Sequence, residues 1–220
     1  MDFLRFLPFW DALTERQKGL LLQSVDRRRV TQGTVLRQGF DDCVGLFLIT
    51  RGQLRAYLLS ESGKEITMFR LFERDICLFS ASCILHSIQF DLFIQAREDT
   101  DFYLIPAPIY QMLMEESLPV SNYTNELMAS RMTDIVWLIN QILNKSFDSR
   151  LAAYLLQEAD KRQFVSSTHE QISHDLGTAR EVVSRMLKYF QNEALLTLSR
   201  GTIHIDNPEK LMLFAKDSLR

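Results

Sequence analysis

Four polar residues packed into one short stretch, Arg180, Glu181, Ser184 and Arg185, carry the most specific chemistry in the chain. An arginine can fork onto guanine O6 and N7, a glutamate can accept from cytosine N4, and a serine can bond base or phosphate. Lys188 lies one helical turn further on, placed for a phosphate. The same residues also fit a solvated helix face with Glu181 and Arg185 as an i, i+4 ion pair, so their surroundings must decide. The remaining reactive side chains are scattered. His86, His169, His174 and His204 do not cluster with a carboxylate as a cupin-like metal enzyme requires, and His169 and His174 are five apart, off any common helix face. No metal, no cofactor and no enzymatic activity are expected. Cys43, Cys77 and Cys83 form no CxxC pair, which argues against a zinc ribbon and a disulfide framework. Cys77 and Cys83 read first as small buried hydrophobes, with a thiol redox switch as the alternative.

The elements around the polar cluster favour groove reading. Thr168 with Gln171 three residues later makes a capping box that starts a short helix through Leu176. Gly177 follows where a left-handed cap residue belongs. Thr178 with Glu181 makes a second box, so another helix should begin at once and run to about Asn192. Two helices joined by a short glycine-containing turn are a helix-turn-helix, with Ile172, Leu176, Val182, Val183, Met186, Leu187 and Phe190 as its packing set. LLTLSR-GTIHI then supplies two extended runs around a glycine, a β-wing that would bring Arg200 to a DNA backbone. Residues 178–200 hold four basic side chains (Arg180, Arg185, Lys188, Arg200) against two acidic ones, although basic and acidic residues balance at ten each from residue 146 onward. The positive charge is local.

The whole chain has 220 residues, 46% hydrophobic and 24% charged, with a net charge of −3. That suffices for a real core and excludes a polybasic coat. From about Val30 to Pro106, glycines at 33, 39, 45, 52 and 63 separate short branched and aromatic runs: TVLRQG, VGLFLIT, QLRAYLLS, EITMFRLF, FDLFIQA and DFYLIP. QLRAYLLS-ESGK-EITMFRLF reads as a hairpin turning at Gly63, and the set as an all-β sandwich or barrel. After Pro106 the period becomes helical. Met128, Met132, Ile135, Ile139 and Ile142 are spaced 4, 3, 4, 3, which fits equally a heptad seam between two chains and one amphipathic helix packed on its own domain. A helix from Leu118 to Asn144 would be about 40 Å long, a length that favours a role between subunits. No run of 18 apolar residues could span a membrane, no cleavage-site pattern marks the first residues, and a reducing cytoplasm is the expected home.

These features together resemble the cyclic-AMP-receptor/fumarate-nitrate-regulator (Crp/Fnr) superfamily over nearly the whole length, with TAREVVSRMLKYFQNEALL as the most specific match. The resemblance implies an α+β fold: a cyclic-nucleotide-binding-like β-roll (jelly roll) at 1–117, a dimerisation helix at 118–145 and a winged helix-turn-helix at 146–220. It gives Glu181 and Arg185 the reading of a TGA core, matches Arg180 to the cyclic-AMP branch and Ser184 to the fumarate-nitrate branch, and gives Thr168 and His169 phosphate contacts. The implied partners are double-stranded DNA with a pseudo-palindromic operator, a second copy of the chain, RNA polymerase and an unidentified small effector. Two departures bear on that effector. Where cyclic-nucleotide binders carry Gly-Glu and Arg-Ser, this chain has Cys77-Leu78 and Phe90-Asp91, and an apolar ring followed by a carboxylate would repel a cyclic phosphate. Three cysteines are also too few for an iron–sulfur cluster. Phe69, Phe72, Phe79, Phe90 and Phe93 instead give the roll an aromatic interior.

Overall fold

The computed structural model describes residues 2–37, 45–61, 63–84, 92–216 and 218. The chain divides into two compact units, one built from Met1–Leu59 with Met68–Ile135, the other from Ser60–Thr67 with Val136–Arg220.

The first unit opens with two 3-10 turns and helix α1 (Glu15–Ser24). A capping box starts α1: Thr14 Oγ1 accepts from the Gln17 amide at 3.3 Å, while Gln17 Oε1 accepts from the Thr14 amide at 3.0 Å. Eight strands follow: β1 (Asp26–Val30), β2 (Val35–Arg37), β3 (Leu46–Arg51), β4 (Leu54–Leu59), β5 (Glu65–Leu71, whose first three residues count with the second unit), β6 (Ile76–Cys77), β7 (Leu92–Ala96) and β8 (Thr100–Ile105). They form two antiparallel sheets in the orders β1-β8-β3-β6 and β2-β7-β4-β5. The six runs read from the sequence became β2, β3, β4, β5, β7 and β8, and Gly63 turns the β4–β5 hairpin at φ +78°. Strands β1 and β6 carry no such signal in the sequence. DRRRV in β1 shows no apolar alternation because it lies at a sheet edge with its arginines in solvent, and β6 is two residues long.

Between the sheets, Phe47, Ile49, Leu54, Ala56, Leu71, Cys77, Phe79, Ile94 and Phe102 are buried together. A second cluster unites Leu4, Leu21, Leu46, Leu48, Tyr110, Leu113 and Val120 around helix α2 (Ala107–Glu116). Arg37 is buried too, its guanidinium donating to the Phe79 carbonyl at 2.6 Å. Helix α3 (Leu118–Asn144) follows α2 after one residue.

The second unit holds α4 (Phe147–Glu158), β9 (Phe164–Val165), α5 (His169–Leu176), α6 (Arg180–Asn192), β10 (Leu196–Ser199), β11 (Thr202–Ile205) and α7 (Pro208–Ala215). Its core joins Leu151 and Leu155 of α4, Ile172 of α5, Val183, Leu187 and Phe190 of α6, Leu196 and Ile203 of the hairpin, and Leu211 of α7. At roughly 1.5–3 kcal/mol for each fully buried large apolar side chain, this cluster is what fixes α6 on its support. The expected packing set is graded: Ile172, Val183, Leu187 and Phe190 are buried, whereas Leu176, Val182 and Met186 are half-buried at its margin. Antiparallel pairing in the order β10-β11-β9 makes a three-stranded wing, one short strand more than the sequence revealed. Among the described residues no helix is long and apolar enough to cross a membrane.

Candidate nucleic-acid interface

The site is built from the start of α5, the start of α6 and the turn between β10 and β11. Helix α5 begins at its capping box, with the Gln171 amide donating to Thr168 Oγ1 at 3.1 Å and the Thr168 amide to Gln171 Oε1 at 2.8 Å. It ends at Gly177, which sits in the left-handed region at φ +63°. The second capping box does not form. Both the Gly177 and Thr178 amides donate to the Ser173 carbonyl, so Thr178 is taken up in closing α5. Ala179 is therefore the N-cap of α6, without a side-chain cap, and Glu181 stands second in the helix rather than third. There its carboxylate still complements the positive end of the helix dipole. The turn is also held from outside. Within this unit Thr67 Oγ1 donates to Asp175 Oδ1 at 2.9 Å, Tyr154 donates to Asp175 Oδ2 at 3.0 Å, and Arg150 Nη1 donates to the Leu176 carbonyl at 3.0 Å.

On α6 one face is buried through Val183, Leu187 and Phe190 while Arg180, Glu181, Arg185 and Lys188 stand exposed. Ser184 is half-buried because its Oγ shares a hydrogen bond with His169 Nδ1 of α5, 2.8 Å away. Burial, and secondarily the Arg180 cation, hold the His169 imidazole below its ordinary value, so it is neutral at physiological pH. Thr168, His169, Arg180 and Arg200 line one open cleft of about 390 Å³, together with Ser167, Glu170 and the wing residues Ser199 to Ile203. Among the described residues neither Arg180 nor Arg200 is ion-paired with an acidic side chain. Two unpaired guanidiniums, a helix N-terminus and several hydroxyls make a cleft suited to a phosphate. Glu181 and Arg185 lie along the exposed stripe of α6 beside it, with Lys188 further along the same helix. Ser167, Ser199, Gly201 and Thr202 were not anticipated, since their contribution comes from tertiary proximity.

A family model described as a Crp-like helix-turn-helix domain matches residues 149–214. A solved structure from Eubacterium rectale, assigned to the Crp/Fnr family of transcriptional regulators, is 48% identical with a TM-score of 0.93, covering 96% of this chain and 99% of its own. This chain belongs to the Crp/Fnr family. The fumarate and nitrate reduction regulatory protein of Vibrio cholerae is 28% identical over 220 residues, 95% of this chain and 86% of that one. A CooA variant from Carboxydothermus hydrogenoformans shares the fold at 23% identity and a TM-score of 0.68, with 95% of each chain covered. This Crp/Fnr protein is accordingly a DNA-binding transcriptional regulator, and its relatives are regulators rather than enzymes.

The other residues singled out from sequence fall elsewhere. Cys77 is buried, and burial pushes its thiol above the ordinary value despite the Ser80 hydrogen bonds and the nearby Arg131 and Arg37 charges. Packing accounts for it. Leu78 is buried beside it; Phe90, Asp91, His86 and Cys43, and the side chain of Cys83, lie outside the described residues. His174 Nδ1 is 3.4 Å from Glu65 Oε2 within the second unit, and His204 Nδ1 is 2.7 Å from Asp206 Oδ1. Each described histidine thus has its own polar neighbour, and among the described residues no three metal-capable side chains cluster. Along α3 the apolar seam divides. Met128 packs into both clusters of the first unit and Ile135 is half-buried, whereas Met132, Val136, Ile139 and Leu143 are 61%, 52%, 48% and 74% exposed. Ile142 is 40% exposed. Val136 and Leu143 were missed because the 4, 3, 4, 3 spacing starting at Met128 steps past them. Starting at Met132, the spacing 4, 3, 4 takes them in.

Proposed function

We propose that this regulator works as a homodimer paired along α3, presenting two copies of α6 to a pseudo-palindromic operator whose arms lie about one helical turn apart. The observation that carries the DNA reading is the cleft that gathers Thr168, His169, Arg180 and Arg200 beside an α6 face exposing Glu181, Arg185 and Lys188. Thr168, His169, Arg180, Arg200 and Lys188 hold phosphates. Glu181, Ser184 and Arg185 meet base edges, with a TGA core in each arm. Four exposed apolar residues at coiled-coil spacing on a 27-residue helix support the dimer, because a stripe of this kind is normally covered by a partner helix. The β-roll senses a small effector, and RNA polymerase is the downstream partner. Loss of the Gly-Glu and Arg-Ser pairs at Cys77-Leu78 and Phe90-Asp91 speaks against cyclic AMP as that effector. Cytoplasmic residence with the DNA follows from the same reading.

Fluorescence anisotropy with duplexes carrying paired TGA arms tests the assignment. Arg185→Ala should lose roughly 1–3 kcal/mol on the operator and become tolerant at one base position. An equal loss on operator and scrambled DNA would reduce Arg185 to a phosphate contact.

A further inference from the structure

The hydrogen bond between His169 Nδ1 and Ser184 Oγ joins a residue of the phosphate cleft to a residue of the base-facing helix. A serine hydroxyl has one proton and two lone pairs, and a neutral imidazole has one N–H and one bare nitrogen. What the hydroxyl can offer a base therefore depends on which partner of this 2.8 Å bond holds the proton between them. A phosphate in the cleft is an acceptor only, so a neutral His169 can meet it only through Nε2–H. That fixes the tautomer, and Nδ1 must then accept.

We propose that His169 is a positioning residue that sets base specificity: with Nε2–H on a DNA phosphate, Nδ1 takes the Ser184 proton and leaves Ser184 Oγ able only to accept. An acceptor in the major groove selects an exocyclic amino group, adenine N6 or cytosine N4, and is repelled by thymine O4 and by guanine O6 and N7. The phosphate contact and the base preference are thereby coupled through two side chains. This rests on the reading of α6 as the recognition helix.

Protonating His169 reverses the relay. The imidazolium Nδ1–H must donate to Ser184, whose own proton is then free to seek an acceptor base. The charged groups that line the cleft with the ring are Arg180 at the start of α6, Glu170 on α5 and Arg200 in the wing turn, joined in the complex by the DNA phosphate on Nε2–H. Burial and Arg180 oppose protonation while the phosphate on Nε2–H favours it, so the reversal is expected as the pH falls.

The test is selection from random duplex DNA by the full-length protein, its Ser184→Ala variant, and His169→Ala and His169→Asn. The column of the site profile that Ser184→Ala flattens is the one Ser184 reads. His169→Ala should weaken discrimination there by roughly fivefold or more. His169→Asn, whose side-chain oxygen can accept in place of Nδ1, should keep most of it. In the unmodified protein the ratio of affinities for the selected and the exchanged base pair should fall between pH 8 and pH 5.5, and Ser184→Ala should abolish that dependence. Circular dichroism melts confirm that each variant folds. An undisturbed column in His169→Ala, or equal loss in His169→Asn, overturns the relay alone. A Ser184→Ala profile unchanged at every position overturns the base-reading role of Ser184 and the relay with it.

Discussion

The sharpest separation between holding DNA and reading it comes from the salt dependence of Arg200→Ala. Arg200 is exposed at the wing turn and lines the cleft with Arg180, and among the described residues no carboxylate competes for it. If each protomer places Arg200 on one phosphate, the variant dimer releases about two fewer counterions, and the slope of log affinity against log salt becomes shallower by about 1.8. Across a fourfold change, from 50 to 200 mM salt, that is a factor of about 12. The penalty for the substitution should therefore be about twelvefold larger at 50 mM than at 200 mM. Operator and random duplexes should lose affinity alike, because phosphates carry no sequence. Arg185→Ala should keep the slope of the unmodified protein and lose operator binding selectively. Anisotropy titrations of both variants at four salt concentrations provide the comparison. An Arg200→Ala slope equal to that of the unmodified protein would refute the placement of the wing turn on the backbone.

Three further outcomes follow from the structure. Val136→Glu, at a half-exposed position on the α3 stripe, should halve the solution mass by light scattering with the helical content preserved; an unchanged mass would mean that α3 is not the dimer seam. Gly177→Ala should destabilise the protein by about 2 kcal/mol in denaturant titration, combining a left-handed backbone at φ +63° with a Cβ only 2.7 Å from Ile66 Cδ1; a loss below about 0.5 kcal/mol would show that the turn relaxes freely. Tyr110 is buried and shares a 2.8 Å hydrogen bond with Thr124, and burial pushes its hydroxyl up to about 12. A raised folded value means that its contribution is intact below the unfolded value near 10 and is lost as pH climbs from there to about 12, on the order of 3 kcal/mol in all. Denaturant midpoints measured against pH should fall more steeply in the unmodified protein than in Tyr110→Phe, and identical profiles would contradict the assignment.

What could be read in advance was whatever local chemistry dictates. The Thr168–Gln171 box, the left-handed Gly177, the Gly63 hairpin and the limits of α3 are consequences of residues acting within a few positions of themselves. Thr178 shows where that logic stops. Its type and spacing to Glu181 satisfy a capping box, yet its amide had already been drawn into closing the preceding helix, and one residue of register was lost. The cleft was half legible. Arg180 and Arg200 announced themselves by charge and motif, and Thr168 and His169 through the family resemblance, but only the packing of α5 on α6 brings Ser184 against His169 at hydrogen-bond distance. The α3 stripe was likewise legible as a period and not as a phase. Met128 fits the repeat equally well, yet it is half-buried against both cores of the first unit, whereas Val136 and Leu143 are exposed. Strand β1 carried no apolar signal at all.

On the proposed reading, two copies of α6 held by α3 read one palindrome. Selection of binding sites from random duplex DNA by the intact protein tests it most directly, with and without reductant. The expected result is a two-fold symmetric site with TGA-containing arms about one helical turn apart, the same in both conditions because Cys77 is buried. Enrichment of a single unpaired arm would contradict the dimer, and enrichment only under reductant would make the cysteines a switch. An asymmetric site without a TGA core would contradict the roles given to Glu181 and Arg185.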